Sequence, residues 1–222
     1  MTRPELARLL DHSVLKPEAT ERDILAGAEL VLKLQIGFYC VQPCWVKIAA
    51  GVIGAAGPRV VSVVGFPHGC DRPEVKDRAA AIAVAEGACE VDTVMNFGAL
   101  KSGDAALVAA EMASIVRAVQ GVPVKVILEA AALSDSEKRL ACRIAGDAGM
   151  AFVKTSTGFH PSGGATVTDV RLMRDAVGPA MGVKASGGIR NQVDVRAMLD
   201  AGATRIGTSA SAAILDQWEG AQ

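Results

Sequence analysis

Aromatic side chains are scarce in this 222-residue chain: five Phe, two Trp and one Tyr make up 4% of it. The core must therefore be aliphatic, built from Val, Ile, Leu and Ala. Histidine is rarer still. His12, His68 and His160 lie on three separate segments without i, i+4 pairing. A catalytic metal needs several His or carboxylate ligands around one ion, so no metal is expected. No Lys/Arg block breaks a formal net charge of −1, which argues against nucleic acid or an anionic membrane as partner. The longest apolar runs, such as Ala79 to Ala85, are too short to span a bilayer. Met1 to Leu10 mix Arg and Glu with Leu and carry no apolar stretch of the signal-peptide kind. The five Cys are odd in number, and Cys40 and Cys44 are four apart rather than C-x-x-C. The expectation is no disulfide framework, but buried cytosolic thiols acting as small hydrophobes. Neither a G-x-S-x-G elbow nor a G-x-G-x-x-G turn after the first strand is present, which disfavours a serine hydrolase and a dinucleotide-binding fold.

What is present is ample apolar material, 50% of residues against 21% charged, enough for a sizeable core. Short β-branched runs alternate with longer Ala-rich amphipathic ones. The strands are expected at His12–Leu15, Gly37–Val41, Val60–Val64, Glu90–Val94, Val122–Leu128, Ala151–Lys154, Met181–Lys184 and Arg205–Ile206. Thr20 with Asp23, Ser134 with Glu137 and Thr166 with Asp169 place a hydroxyl cap three residues before an acid, as helix starts do. Gly87, Gly121, Gly149 and Gly202 stand where helices should stop. Strict βα alternation implies a parallel sheet covered by helices. Eight such units fit a closed (β/α)8 TIM barrel, one α/β domain over residues 1–222, better than an open doubly wound sheet.

Buried parallel strands should read as continuous hydrophobe, and several here do not. Asp92 interrupts the fourth strand, Lys125 and then Glu129 the fifth, while Lys154 ends the sixth and Lys184 the seventh; Asp11 opens the first unit. Unpaired buried charge is costly, so such residues persist when paired or used. The C-terminal ends of barrel strands form the active face. Neighbouring strand-end lysines repel, which favours a neutral amine on one of them, and a neutral desolvated lysine attacks carbonyls. Asp92, on another even-numbered strand, can share an interior layer with Lys154 and move protons. Lys125 or Glu129, taken alone, reads equally well as a member of a structural ion pair, and His12 as a supporting neighbour of Asp11.

After the seventh strand comes Ala185-Ser186-Gly187-Gly188-Ile189-Arg190, and after the eighth Gly207-Thr208-Ser209-Ala210. Barrels often hold a phosphate between these two loops, where glycines let backbone N–H groups approach the oxygens. Thr155-Ser156-Thr157-Gly158-Phe159 is a third glycine-containing stretch, placed to close over a ligand.

These stretches, above all Lys154-Thr155-Ser156-Thr157-Gly158-Phe159 with Lys184-Ala185-Ser186-Gly187-Gly188-Ile189, resemble the deoxyribose-phosphate aldolases, a class I aldolase family. The likeness runs from Asp11-His12-Ser13-Val14-Leu15-Lys16-Pro17 to Ile206-Gly207-Thr208-Ser209. It implies Lys154 as the Schiff-base lysine, Asp92 and Lys184 as proton donor and acceptor, Asp11 and Lys125 in support, and Gly158, Gly187, Gly188, Gly207 and Ser209 around the phosphate. It also implies reversible cleavage of 2-deoxy-D-ribose 5-phosphate to glyceraldehyde 3-phosphate and acetaldehyde, without metal or organic cofactor, in cytoplasmic deoxynucleoside breakdown. A homo-oligomer, dimer or tetramer, is expected, with the helix at Ala105–Gln120 a candidate interface. Two departures stand out. His68 replaces a common Leu, and Trp218-Glu219-Gly220-Ala221-Gln222 lacks the C-terminal Tyr with which some relatives deprotonate the imine.

Overall fold

Side chains alternate across a strand, and here that alternation divides aliphatic residues from charged ones. The computed structural model describes residues 1–219. Its strands are β1 (Leu10–Val14), β2 (Phe38–Val41), β3 (Arg59–Val64), β4 (Glu90–Val94), β5 (Val124–Ile127), β6 (Phe152–Lys154), β7 (Gly182–Ser186) and β8 (Arg205–Thr208). They pair in parallel in sequence order and close, β8 returning to β1 with Leu10 opposite Ile206. This is a (β/α)8 barrel. The helices are α1 (Arg3–Leu9), α2 (Glu21–Leu34), α3 (Val46–Ile53), α4 (Pro73–Ala85), α5 (Phe97–Lys101), α6 (Ala105–Ala118), α7 (Asp135–Asp147), α8 (Val167–Val177), α9 (Gln192–Asp200) and α10 (Ser211–Gln217).

The outward strand residues, among them Leu10, Tyr39, Val60, Val91, Val126, Val153, Val183 and Ile206, are buried against helix residues such as Ile24, Val31, Val46, Met112, Ile115 and Val195. Each such side chain contributes roughly 1.5–3 kcal/mol by leaving water. The inward set is different. On the β1–β3 side it is apolar: Leu15, Cys40, Val61 and Val63, with Phe38 and Phe66 packed beside them. From β4 round to β1 it carries Glu90, Asp92, Lys125, Lys154, Lys184, Arg205 and Asp11, all buried.

The capping expectations hold. Thr20–Asp23 and Ser134–Glu137 form capping boxes, and the Thr166 side chain accepts from the Asp169 N–H. Gly87, Gly121, Gly149 and Gly202 all have positive φ after helices, the conformation that glycine adopts without steric cost.

Several boundaries differ from expectation. The first strand starts at Leu10, not His12. Asp11, expected at the start of the first unit, is an interior residue of that strand, its charge paired with Lys184 and Arg205. The seventh strand does not end at Lys184 but runs to Ser186, whose N–H is accepted by the Thr155 hydroxyl at 3.1 Å. Gly207 and Thr208 belong to β8 rather than to a loop after it. The expected helix Ala105–Gln120 stops at Ala118, and Gln120 adopts φ 48°. Cysteines are not uniformly buried: Cys40 and Cys142 are, whereas Cys44 and Cys70 are exposed; all five are free thiols. Gly220, Ala221 and Gln222, part of the tail noted for its missing tyrosine, lie outside the described residues. Among the described residues, no helix is long and apolar enough to cross a membrane.

Candidate active site

The inward charges meet as one network. Asp92 is its hub, fully buried. Its Oδ2 accepts from Lys154 Nζ at 2.9 Å and Lys184 Nζ at 2.8 Å, and its Oδ1 from Lys125 Nζ at 2.8 Å. Lys184 also donates to Asp11. Arg205 Nη1 reaches Asp11 Oδ1 at 3.0 Å and Glu90 Oε2 at 3.2 Å, and Glu90 Oε2 lies 2.5 Å from Lys125 Nζ. The chain of contacts is thus closed: Asp92, Lys184, Asp11, Arg205, Glu90, Lys125 and back to Asp92, with Lys154 attached at Asp92.

Strand register explains the closure. Asp92 stands opposite Lys125, and Lys154 opposite Lys184, which stands opposite Arg205. The floor is aromatic. The Arg205 guanidinium lies 3.4 Å from the centre of the Phe38 ring and 5.2 Å from that of Phe152, favourable cation–π distances. Phe152 has room because its neighbour is Gly182, where a Cβ would come within 2.1 Å of the ring. Gly207 has a similar steric reason, since a Cβ there would sit 3.0 Å from Lys184 Cε.

The electrostatics follow from these contacts. Burial alone would raise the Asp92 pKa, but Lys125, Lys154 and Lys184 together hold it well below the usual carboxylate range. Burial likewise opposes the charge on Lys184, yet Asp11 and Asp92 outweigh it and hold this lysine above the ordinary range. Asp11 is lowered, against burial, by Lys184, Lys125 and Arg205. The two strand-end lysines expected to repel one another are therefore bridged by one carboxylate, and Lys184 keeps its proton.

Above the network opens a cavity of about 360 Å³. Of the network's four cations, only Lys154 lines it; Asp92, Lys184, Asp11 and Lys125 lie behind. All five residues expected around a phosphate, Gly158, Gly187, Gly188, Gly207 and Ser209, line it too. Gly187 and Gly188 adopt φ 88° and 81° in succession, a tight turn open to glycine alone without steric cost. The turn at 186–188 and the loop after β6 are joined. The Ala165 N–H donates to Gly187 O at 3.0 Å, and Gly164 approaches so closely that a Cβ would fall 2.2 Å from that oxygen. Thr208 Oγ1 donates to Ile189 O and accepts from the Ala210 N–H, tying the turn after β7 to that after β8.

Sequence reasoning missed Glu90 and Arg205, and also Ser13, Lys16 and Arg190 at the cavity wall. Glu90 carried a usable signal, being two residues from Asp92 and so on the same strand face. Glu129 is not an ion-pair partner of Lys125. It adopts φ 56° and its carboxylate accepts from the Thr157 N–H and hydroxyl, holding the loop after β6. His12 faces the helices, not Asp11's network: Nδ1 lies 3.1 Å from Ser211 Oγ and the ring stacks on Tyr39. Tyr39 itself donates to Ile24 O in the helix layer, away from the cavity. Among the described residues no group of three or more His, Cys, Asp or Glu is placed to hold a metal ion.

A barrel with a lysine opening from a buried acid–base network onto a cavity is the architecture of a lysine-dependent aldolase. Comparison with known proteins agrees: the DeoC/LacD family aldolase description matches residues 8–220. The chain is 52% identical over 192 residues to a deoxyribose-phosphate aldolase of Methanothermobacter thermautotrophicus, covering 86% of this chain and 84% of that one. It is 47% identical to deoxyribose-phosphate aldolase 1 of Bacillus licheniformis, covering 85% and 84%. Among solved structures, the tetrameric deoxyribose phosphate aldolase from Aeropyrum pernix superposes with TM-score 0.90 at 33% identity, covering 97% and 91%. The chain belongs to the DeoC/LacD aldolase family.

Proposed function

We propose that this protein reversibly cleaves 2-deoxy-D-ribose 5-phosphate to D-glyceraldehyde 3-phosphate and acetaldehyde through a Schiff base on Lys154. The observation that carries the reading is that Lys154 alone among the network cations lines the cavity, within hydrogen-bond reach of Asp92. The names of the relatives supply the substrate, and the glycine turns at the far wall suit its phosphate.

Four cations, Lys125, Lys154, Lys184 and Arg205, meet three carboxylates, Asp11, Glu90 and Asp92. One proton fewer balances the network. With Lys184 held charged, Lys154 is the amine that releases it, and its neutral form attacks C1 of the open-chain sugar. The N–C1 bond forms, and Asp92 with Lys184 passes protons to the carbinolamine oxygen, which departs as water. The iminium then draws the C2–C3 electron pair as the C3 hydroxyl gives its proton, through water, to the Asp92–Lys184 pair. Glyceraldehyde 3-phosphate leaves and an enamine remains. Protonation at C2 and addition of water release acetaldehyde and regenerate Lys154. The iminium is the electron sink, so the sequence of steps calls for no metal or organic cofactor. With no tyrosine at the cavity among the described residues, Asp92 and Lys184 serve the C2 proton through water. Phosphate held by Gly187, Gly188 and Ser209, with Gly158 and Gly207 beside them, orients the reacting carbons at a distance.

The same reading carries a cytoplasmic role in deoxynucleoside breakdown. It also carries a homo-oligomer, for which exposed Leu107 on α6 with Val75 and Ile82 on α4 offer apolar surface. The test is turnover. Purified protein given 2-deoxyribose 5-phosphate should release the two aldehydes in equal amounts, unaffected by a chelator. Release of neither, or of an isomerised sugar phosphate only, would overturn the reading.

A further inference from the structure

Beneath the groups that handle protons lies a pair that no step of the cleavage uses. Glu90 opens β4 and Arg205 opens β8, at the opposite end of their strands from the cavity, and neither lines it. Both are buried. An ion pair in an interior is not a stability device by default, because desolvation consumes most of the attraction. A carboxylate and a guanidinium kept inside a barrel otherwise able to hold aliphatic layers call for another explanation.

Their contacts supply it. Glu90 does not pair with Arg205 alone but also with Lys125, and Arg205 also with Asp11. Lys125 and Asp11 are in turn the second partners of Asp92 and Lys184, the two groups nearest Lys154 in charge. The pair thus closes the network from below. Every change in its charge is felt at Lys154 through a buried, weakly screened path.

We propose that Glu90 and Arg205 are positioning residues of opposite sign whose individual charges move, in opposite directions, the pH range in which Lys154 becomes the neutral nucleophile. This rests on the Schiff-base reading above. The groups that face Lys154 are known from each side. They are Asp92 and Glu90 on β4, Lys125 on β5, Lys184 on β7, Arg205 on β8 and Asp11 on β1. The Cys40 thiol on β2 is pushed up to about 11 by burial and stays neutral. Lys16 and Arg190 stand at the cavity wall. Strand β3 contributes Val61 and Val63, with Arg59 exposed at its start. Glu129 is engaged by Thr157. Among the described residues, the other carboxylates that contact Lys125 and Arg205 are Asp92 and Asp11, one on each, and Glu90 alone contacts both.

The two charges give the proposal its test, because they must act in opposite directions. The readout is the pH dependence of reductive trapping of Lys154 by acetaldehyde and cyanoborohydride, followed on the Lys154 peptide, together with kcat/KM. Glu90→Gln removes a negative charge and keeps the shape. It should move the acid limb down by about one pH unit, a tenfold faster trapping below the limb. Arg205→Met removes a positive charge and should move the limb up by a similar amount. The double variant should return it to the parent position. Should Arg205→Met not fold, Arg205→Gln, which can still donate to Glu90, replaces it. A merely structural pair would slow both variants without displacing their limbs in opposite senses. Limbs that stay in place, or move the same way, while the adduct still forms on Lys154 would overturn the proposal. No adduct in the parent protein would instead overturn the Schiff-base reading, and this inference with it.

Discussion

Two buried lysines of this protein make similar contacts to opposite ends. Lys76, on α4, is fully buried and donates to Gly69 O, Val94 O and Glu111 Oε2, each at 2.8 Å. Lys154 is 2% exposed and donates to Asp92 Oδ2 at 2.9 Å. Burial and a carboxylate partner do not distinguish them. What does is saturation. An ammonium has three donors, and all three of Lys76's are used, two on backbone carbonyls that fasten the chain after β3 to the end of β4. Glu111 completes the clamp by accepting from the Asn96 N–H. Lys154 has one protein partner and an open cavity on its other side. A lysine whose three donors are all engaged holds structure. One that is partly satisfied and borders a cavity is free to react.

The contrast can be broken or sharpened by substitution. The largest effect belongs to Lys154→Leu, which should lower kcat by at least about 10⁴-fold while the protein stays folded, since the nucleophile is lost outright. Circular dichroism and the turnover assay check both halves. Next comes Lys184→Leu. It leaves Asp11 and Asp92 facing each other without their shared cation and should cost about 10²–10³-fold in kcat, with adducts still forming slowly on Lys154. Retention of near-parent turnover would remove Lys184 from the mechanism.

Lys76→Met tests the other lysine. Glu111, whose carboxyl burial already pushes up, would lose its cation, and breaking one side of a buried pair costs about 3–5 kcal/mol. Urea unfolding should show that loss, and adding Glu111→Gln should recover part of it. Where the variant is folded, kcat should fall by less than about tenfold, since Lys76 meets no reacting atom.

A smaller effect separates the two faces of β1. Asp11 points inward, but its neighbour His12 points out to Ser211, and burial lowers the His12 pKa from 6.5 to about 4. A histidine buried neutral costs nothing above its unfolded value and must be charged against the fold below it. Stability should therefore fall as pH drops from about 6.5 to about 4, by about 3 kcal/mol. His12→Gln should flatten that part of the pH–stability curve. An unchanged slope would show that His12 is not its source.

Legibility in the sequence followed the same physics. Lys154, Lys184 and Asp92 were readable because charge in a short apolar run is conspicuous, and the glycine turns because they follow the strands where barrels bind phosphate. Lys76 and Glu111 were not, since charged residues on helices are ordinarily solvated and their periodicity does not reveal which side faces inward. Arg205 and Glu90 stand at the first positions of their strands, where a charge is ordinarily solvated. Only closure of the barrel brings the starts of β4 and β8 together across the floor. Asp11 lies inside β1 and Lys184 inside β7, because pairing across the barrel interior lets a strand continue through a charged residue.

The difference between the two lysines is decided most directly by locating the amine that forms the imine. Protein incubated with acetaldehyde and cyanoborohydride, digested and analysed by mass spectrometry should carry one reduced ethyl adduct on the peptide holding Lys154, competed by 2-deoxyribose 5-phosphate, with Lys184, Lys125 and Lys76 unmodified. An adduct protected by that sugar phosphate on any of those three, with Lys154 left free, would contradict the account.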